Sequence, residues 1–256
     1  MNRLLRAALD TLYPPDVTCA LCGCELDAAT EPLCADCRQE LTHRHAHVCP
    51  ACGRPMDMPG LCNVCQRQGP IADRCVAALA YEGEVRGLVV AFKLHDKPGY
   101  ARLFACRMAD ALRSAGLAGG LDAIVPVPMH WRRRFHRGYN QSELLARELG
   151  ALLGLPVWRR ALARPVYTPP SMRLRGRAAA RADNARRSYG RGRAEVEGKA
   201  VLLVDDILTT GSTLRACTAL LRGQSAARVV ALVAAAVPEE VDRAVSPAPW
   251  PPAHRP

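Results

Sequence analysis

The sequence predicts an α/β protein: a parallel sheet with helices on both faces, preceded by a small cysteine-rich, metal-binding module. Three observations predict it. Residues 201–204 (Val-Leu-Leu-Val) are wholly apolar, as a strand covered on both faces is, and they run into Asp205, Asp206, a loop of hydroxyls with one glycine, and a helix start. Strand-like and helix-like apolar patterns alternate between residues 71 and 237, which implies parallel strands joined by crossover helices. Eight of the twelve cysteines fall into four CxxC pairs before residue 66. The expected organisation is a zinc-binding module with a short N-terminal helix over residues 1–70 and an α/β domain over residues 71–238. A proline-rich tail over residues 239–256 is expected to be disordered.

At the N-terminus, Leu4, Leu5, Ala8, Leu9 and Leu12 fit one face of a short helix. Asp10 interrupts the apolar run and no small-residue cleavage site follows, so the segment reads as a capping helix and not as a signal peptide. Then come Cys19/Cys22, Cys34/Cys37, Cys49/Cys52 and Cys62/Cys65. Each CxxC is a knuckle that places two sulfurs on one tetrahedral ion, and four thiolates close a structural zinc site. One or two zinc ions are expected. Consecutive ribbons need only short loops; interleaved pairing is the other arrangement the spacing allows. Gly23, Pro50 and Gly53 supply turns beside the pairs, and Cys24 is a spare thiol beside the first. His43, His45 and His47 read as a solvated linker. The module has few large apolar residues, so zinc supplies much of its folding energy. Thiols in metal-binding spacing suit a reducing compartment, and the expected location is the cytoplasm.

From residue 71 the pattern is α/β. Residues 75–81 form an apolar strand. Residues 84–94 form a helix with Val85, Leu88, Val89 and Phe92 on one face. Residues 102–117 are a second helix, and residues 121–128 a strand ended by its prolines. Residues 143–153 are a leucine-rich helix stopped by Gly154. Strands over residues 199–205 and 228–237 flank a helix over residues 214–222, where Leu214, Cys217, Leu220 and Leu221 repeat at helical spacing. No run of 18 apolar residues exists, so no membrane-spanning helix is expected.

The stretch from Asp205 to Thr213 carries the chemistry. Gly211 lets backbone approach a ligand. Amides of Thr210 to Thr213 at a helix N-terminus form an anion site, and the hydroxyls of Thr209, Thr210, Ser212 and Thr213 add donors. Asp205 and Asp206 suit sugar hydroxyls or Mg²⁺. A nucleotide triphosphatase would need a glycine-rich loop ending in Gly-Lys-Ser/Thr, and the chain's only lysines are Lys93, Lys97 and Lys199. A phospho-receiver would need further strands and helices after its acids, and only one helix and one strand remain here. The formal net charge is +11, nearly all of it from arginine, which favours polyanionic partners. Eleven arginines against one acid, Asp183, fall between residues 159 and 193. In residues 126–142, arginines interleave with Trp131, Phe135 and Tyr139, as a surface that pairs phosphates and stacks bases would.

Residues 201–214 resemble the phosphoribosyl-pyrophosphate (PRPP) loop of the type I phosphoribosyltransferases. Together with the paired CxxC motifs and Arg137-Gly138-Tyr139-Asn140-Gln141-Ser142, they make the chain resemble the ComF family (ComFC) over about residues 10–237. The resemblance implies a type I phosphoribosyltransferase-like parallel sheet behind a zinc ribbon, and PRPP with Mg²⁺ as ligand. Asp205 and Asp206 take the catalytic place. Ile207, Leu208, Thr209, Thr210, Gly211, Ser212 and Thr213 bind PRPP with Lys93 and Arg137, which would steady its pyrophosphate. Tyr139, Asn140 and Gln141 belong to an acceptor-side or mobile loop. The family is tied to natural transformation, so single-stranded DNA and other transformation proteins are implied partners. The resemblance also admits a non-catalytic single-stranded-DNA-binding protein or a PRPP-sensing regulator. The chain departs from the pattern where Thr168-Pro169-Pro170-Ser171 replaces Thr-x-x-Gln and Ser188-Tyr189 replaces Ala-Phe, although Arg181-Ala182-Asp183-Asn184 keeps Arg-x-x-Asn.

Overall fold

The computed structural model describes residues 18–26, 32–41, 45–94, 100–168 and 178–239. The expected N-terminal helix, the proline-rich tail, His43 and Pro169 to Ser171 lie outside these residues. The chain divides into two compact units, Met1–Thr42 and His43–Pro256.

In the smaller unit, a bridge pairs Thr18 with Glu25, and α1 spans Ala35–Glu40. Cys34 caps α1 by accepting the Cys37 amide at its sulfur, 3.5 Å away. The larger unit opens on a second knuckle. Strands β1 (His47–Val48) and β2 (Pro55–Met56) pair antiparallel. Helix α2 (Asn63–Gln68) is capped by Cys62, whose sulfur accepts the Cys65 amide at 3.4 Å. His45 is not a solvated linker: its ring lies 2.9 Å from Glu82 Oε1 and 3.6 Å from Asp57 Oδ1.

The main sheet has four strands, all parallel: β3 (Arg74–Ala80), β4 (Ala123–Pro126), β7 (Ala200–Leu208) and β8 (Arg228–Ala236), in spatial order β3-β8-β7-β4. Val157 extends the β4 edge by one parallel bridge to Ile124. Strands β5 (Leu162–Ala163) and β6 (Gly190–Arg191) form a separate antiparallel pair. The helices are α3 (Gly83–Leu94), α4 (Tyr100–Ser114), α5 (Trp131–Arg137), α6 (Gln141–Leu153), α7 (Ala178–Ser188) and α8 (Ser212–Arg222). Helices α4 and α6 pack together and on the sheet, while α8 packs on β7, β8 and the β5–β6 pair. Four expected strands and helices over residues 84–94, 102–117, 143–153 and 214–222 therefore appear, with shifted ends. The arginine-rich stretch holds α7, which apolar periodicity does not announce.

Alternation along the central strand explains the layering. Successive side chains leave a strand on opposite faces. Val201 and Leu203 share one core with Val229, Ala231, Leu214, Cys217 and Leu221. Cys49, Cys52, Cys62 and Cys65 belong to that same core. The second knuckle is thus packed as core and not appended. Its backbone approaches β3 closely. Gly53 has φ +70°, and a Cβ there would lie 2.7 Å from the Ala77 nitrogen. Gly53→Ala is expected to lower the stability of the larger unit by at least about 1–2 kcal/mol from the left-handed backbone alone. Thermal melting of the zinc-loaded protein against wild type measures it.

Candidate functional site

Strand β7 runs past the two acids and ends at Leu208, so Asp205, Asp206, Ile207 and Leu208 are strand residues. Consecutive side chains then reach different neighbours. Ser142, at the start of α6, donates its hydroxyl to Asp205 Oδ1 at 2.9 Å, and the Asp206 amide donates to the same oxygen at 3.0 Å. Lys93, at the end of α3, pairs with Asp206 Oδ2 at 2.9 Å. The Ile207 amide donates to Asp206 Oδ1 at 2.6 Å. Burial, with the Asp206 charge adding to it, pushes the Asp205 carboxyl up to about 7. The Asp206 amide, Ser142 and Lys93 oppose that rise. Two adjacent carboxylates in a poorly hydrated place favour a cation between or beside them.

The loop from Thr209 to Gly211 follows at once. Leu208 is 1% exposed, so its side chain serves the core and only its backbone can face a ligand. Gly211 is the N-cap of α8, at φ +75°. A Cβ on Gly211 would stand 2.8 Å from Ile71 Cδ1. No side chain caps this end of the helix, so the first-turn amides of α8 have no intrahelical acceptor and present partial positive charge. The hydroxyls of Thr210 and Ser212 lie 2.9 Å apart beside them. Phosphate fits such a cradle.

Two arginines absent from the sequence expectations hold this loop in place. Arg54, 6% exposed, sits two residues beyond Cys52 of the second knuckle. Its guanidinium donates to the carbonyls of Thr209 and Val237, joining the ends of β7 and β8. Arg215, in the first turn of α8, donates to the carbonyls of Gln68 and Pro70 at 3.1 and 2.8 Å. Both pairings span more than 140 residues of chain, so no local pattern announces them.

The stretch between β4 and α6 holds helix α5. His130 caps α5 by accepting the Arg132 amide at Nδ1, 3.2 Å away, and Gly138 ends the helix at φ +74°. Arg137 lies at the end of α5 with its Nη1 3.4 Å from Gln141 Oε1. Tyr139 donates its hydroxyl to the Phe92 carbonyl, its ring 6.2 Å from that of Phe92. Asn140 Nδ2 donates to the Val127 carbonyl at 3.1 Å. Tyr139 ties this stretch to α3 and Asn140 ties it to the end of β4, while Arg137 links α5 to α6. Trp131 and Phe135 instead stand 66% and 84% exposed.

Two thiol groups are assembled. Sulfurs of Cys49, Cys52, Cys62 and Cys65 lie within 4.8 Å of one another, all buried, and those of Cys19, Cys22, Cys24 and Cys34 do likewise. Pairing is therefore consecutive. Amide-to-sulfur contacts at 3.4 Å, Cys62 to Cys49 and Cys34 to Cys19, have the form of zinc knuckles. Burial raises the Cys19 thiol, but amides of Cys22, Cys34 and Leu21 outweigh it and bring the pKa to about 6. Ligand type, number and spacing fit structural zinc at both places. Cys24 stands in the first group where the spacing expects Cys37. Cys37 is buried beside it, its amide on the Cys34 sulfur.

Comparison with known proteins agrees with this layout. The family described as "Double zinc ribbon domain" matches residues 8–66 and that described as "Phosphoribosyl transferase domain" matches residues 160–248. "DNA utilization protein YhgH" of Salmonella typhi is 32% identical over 82% of this chain and 93% of its own length. "Competence protein F" of Haemophilus influenzae is 30% identical over 80% of this chain and 90% of its own. "Competence protein ComFC" of Bacillus subtilis is 26% identical over 90% of this chain and 93% of its own.

The raised Asp205 pKa fixes a sign. The folded state holds a proton that the unfolded chain releases near 3.8, so this carboxyl costs stability as pH rises from about 4 to about 7, and the full cost stands above 7. Asp205→Asn is expected to melt at higher temperature than wild type at pH 8 and with no such advantage below pH 4. A second expectation concerns Arg54. Arg54→Met removes two charge-assisted hydrogen bonds and is expected to speed amide exchange across residues 209–213 by about tenfold or more. Zinc content, read by metal analysis, stays at the wild-type value.

Proposed function

The chain belongs to the ComF family, that of competence protein F and DNA utilization protein YhgH, and from that premise we propose that it binds PRPP with Mg²⁺ and transfers the phosphoribosyl group with release of pyrophosphate. One observation carries the reading: the Asp205–Asp206 pair, with Lys93 on it, stands at the head of a loop that leads into a helix whose first turn has no side-chain cap.

In this reading the amides and hydroxyls of residues 209–213 hold the 5-phosphate. Asp205 and Asp206 hold the ribose 2- and 3-hydroxyls, directly or through Mg²⁺, which supplies positive charge to the pyrophosphate when bound. The bond from C1 to the pyrophosphate oxygen breaks, and its electron pair leaves with pyrophosphate. An acceptor lone pair forms the new bond at C1, and the acceptor gives up a proton. Positive charge grows on the ring as this happens, and the two carboxylates favour it electrostatically. Lys93, already on Asp206 at 2.9 Å, and Arg137 steady the leaving group.

A second reading has its own observation. Trp131 and Phe135 are exposed on α5, and the Arg132 guanidinium lies 5.3 Å from the Trp131 ring and 5.7 Å from that of Tyr167. Exposed rings interleaved with arginine suit stacking on single-stranded DNA. Competence in the relatives' names accords with either role.

Calorimetry separates them. Wild type is expected to bind PRPP in the presence of Mg²⁺, and Asp206→Asn to bind it at least about tenfold more weakly. No heat at millimolar PRPP overturns the proposal. If the Asp205→Asn/Asp206→Asn double variant loses PRPP binding yet supports transformation in its host, the DNA-binding role stands and the transferase is idle.

A further inference from the structure

A cavity of about 660 Å³ opens where β4 gives way to Val157, outside the acid pair and its loop. None of residues 205–213, Lys93 or Arg137 lines it. Met129 and Trp158 supply apolar wall, and Arg134, Arg159, Arg160 and Arg164 supply guanidinium groups. Its one acidic side chain among the described lining residues is Glu143, which is 5% exposed. That carboxylate is already saturated: Arg134, Arg147 and Arg159 reach it at 3.0, 2.8 and 2.7 Å. Three guanidinium groups thus share one carboxylate, and the ion pairs of Glu143 include neither Arg160 nor Arg164.

The rim is preformed. Arg193 and Ala194 donate their amides to the Arg160 carbonyl at 2.6 and 3.0 Å, and Gly192 donates to that of Ala161 at 3.1 Å. Arg164 lies with its guanidinium 4.8 Å from the Tyr189 ring and donates from Nη2 to Thr168 Oγ1 at 3.1 Å. Its buried Nε has no hydrogen-bond partner. Guanidinium groups match phosphate oxygens in geometry and charge. The volume lies in the range of small-molecule sites; inorganic phosphate alone would leave most of it to water. An occupant with an anionic end and a flat apolar body matches both walls.

We propose that this pocket binds a small phosphorylated molecule carrying an aromatic ring, the class to which nucleoside monophosphates belong. The site is separate from the PRPP loop and shares no residue with it.

The test is calorimetry on full-length, zinc-loaded protein with adenosine 5′-monophosphate, adenosine and inorganic phosphate. The monophosphate is expected to bind and adenosine not to. Arg160→Gln changes an exposed side chain and is expected to weaken binding by about tenfold; Arg159→Gln/Arg160→Gln weakens it further. Thr210→Asp places a carboxylate in the PRPP loop and is expected to leave monophosphate affinity within twofold of wild type while any PRPP binding falls. No heat with millimolar monophosphate overturns the proposal. So does unchanged affinity in Arg160→Gln, loss of binding in Thr210→Asp, or binding of a single-stranded oligonucleotide with none of the mononucleotide. Failure of PRPP to bind wild type leaves this outcome independent.

Discussion

The carbonyl ends of two neighbouring parallel strands share one buried guanidinium, and the candidate site depends on that contact. At the end of a parallel strand, the backbone leaves the ladder and its carbonyls need new donors. Arg54 supplies them to Thr209 and Val237 at once. Burying a guanidinium is costly unless it is well paired, and two carbonyls meet part of that demand. Arg54 is itself fixed from behind, since its carbonyl accepts the Cys49 amide at 2.8 Å within the knuckle. The four thiolates of Cys49, Cys52, Cys62 and Cys65, the arginine and the phosphate-suited loop therefore form one continuous piece of structure. Arg215 closes the opposite side by joining α8 to the end of α2. A zinc knuckle in this position serves as the floor of the loop.

Above that floor, charge is arranged for a cation and an anion side by side. Asp205 and Asp206 are set where burial disfavours two negative charges, and Lys93 answers only Asp206 directly. A divalent ion or a cationic ring relieves the same cost, which gives the acid pair a reason to bind one. The open turn of α8 has the opposite need, partial positive charge without an acceptor. A phosphorylated sugar that carries a metal ion satisfies both within one molecule.

Much of this was legible in the sequence because it is local. The apolar run over residues 201–204, the two aspartates, the hydroxyl loop and the helix that follows are one contiguous pattern, and neighbouring elements position them. The paired cysteines were legible for the same reason: CxxC spacing alone brings two sulfurs together. What escaped was the long-range part. Ser142 on Asp205 lies 63 residues away in the chain, and Arg54 on Thr209 lies 155 away. Ser142 stood in a motif whose spacing does not say that it reaches Asp205, and nothing near Arg54 marks it out from other arginines. Tyr139, Asn140 and Gln141 stood out as motif residues, yet their polar groups are turned to Phe92, Val127 and Arg137. Sequence shows the polar group but not the direction in which it is spent. Cys24 and Cys37 make the same point, because spacing cannot rank two thiols that fold next to the same three partners.

The distribution of arginine partners narrows what the net charge of +11 is for. Arg54 and Arg215 are spent on backbone carbonyls, so they act as structural donors whose charge is incidental to any ligand. Arg134, Arg147 and Arg159 converge on Glu143, and one carboxylate cannot neutralise three cations. Their side chains are half exposed, so water screens part of the repulsion, and the fold fixes their carbon frames: α6 carries Glu143 and Arg147, α5 carries Arg134, and the segment after Val157 carries Arg159. Such a cluster is expensive as mere surface, where arginines are free to move apart. It is economical if an anion occupies the space between them part of the time, because the same repulsion then becomes affinity. Among the described residues, the fold thus gathers Arg134, Arg147 and Arg159 on one carboxylate and sets Arg160 and Arg164 on the wall of the same cavity.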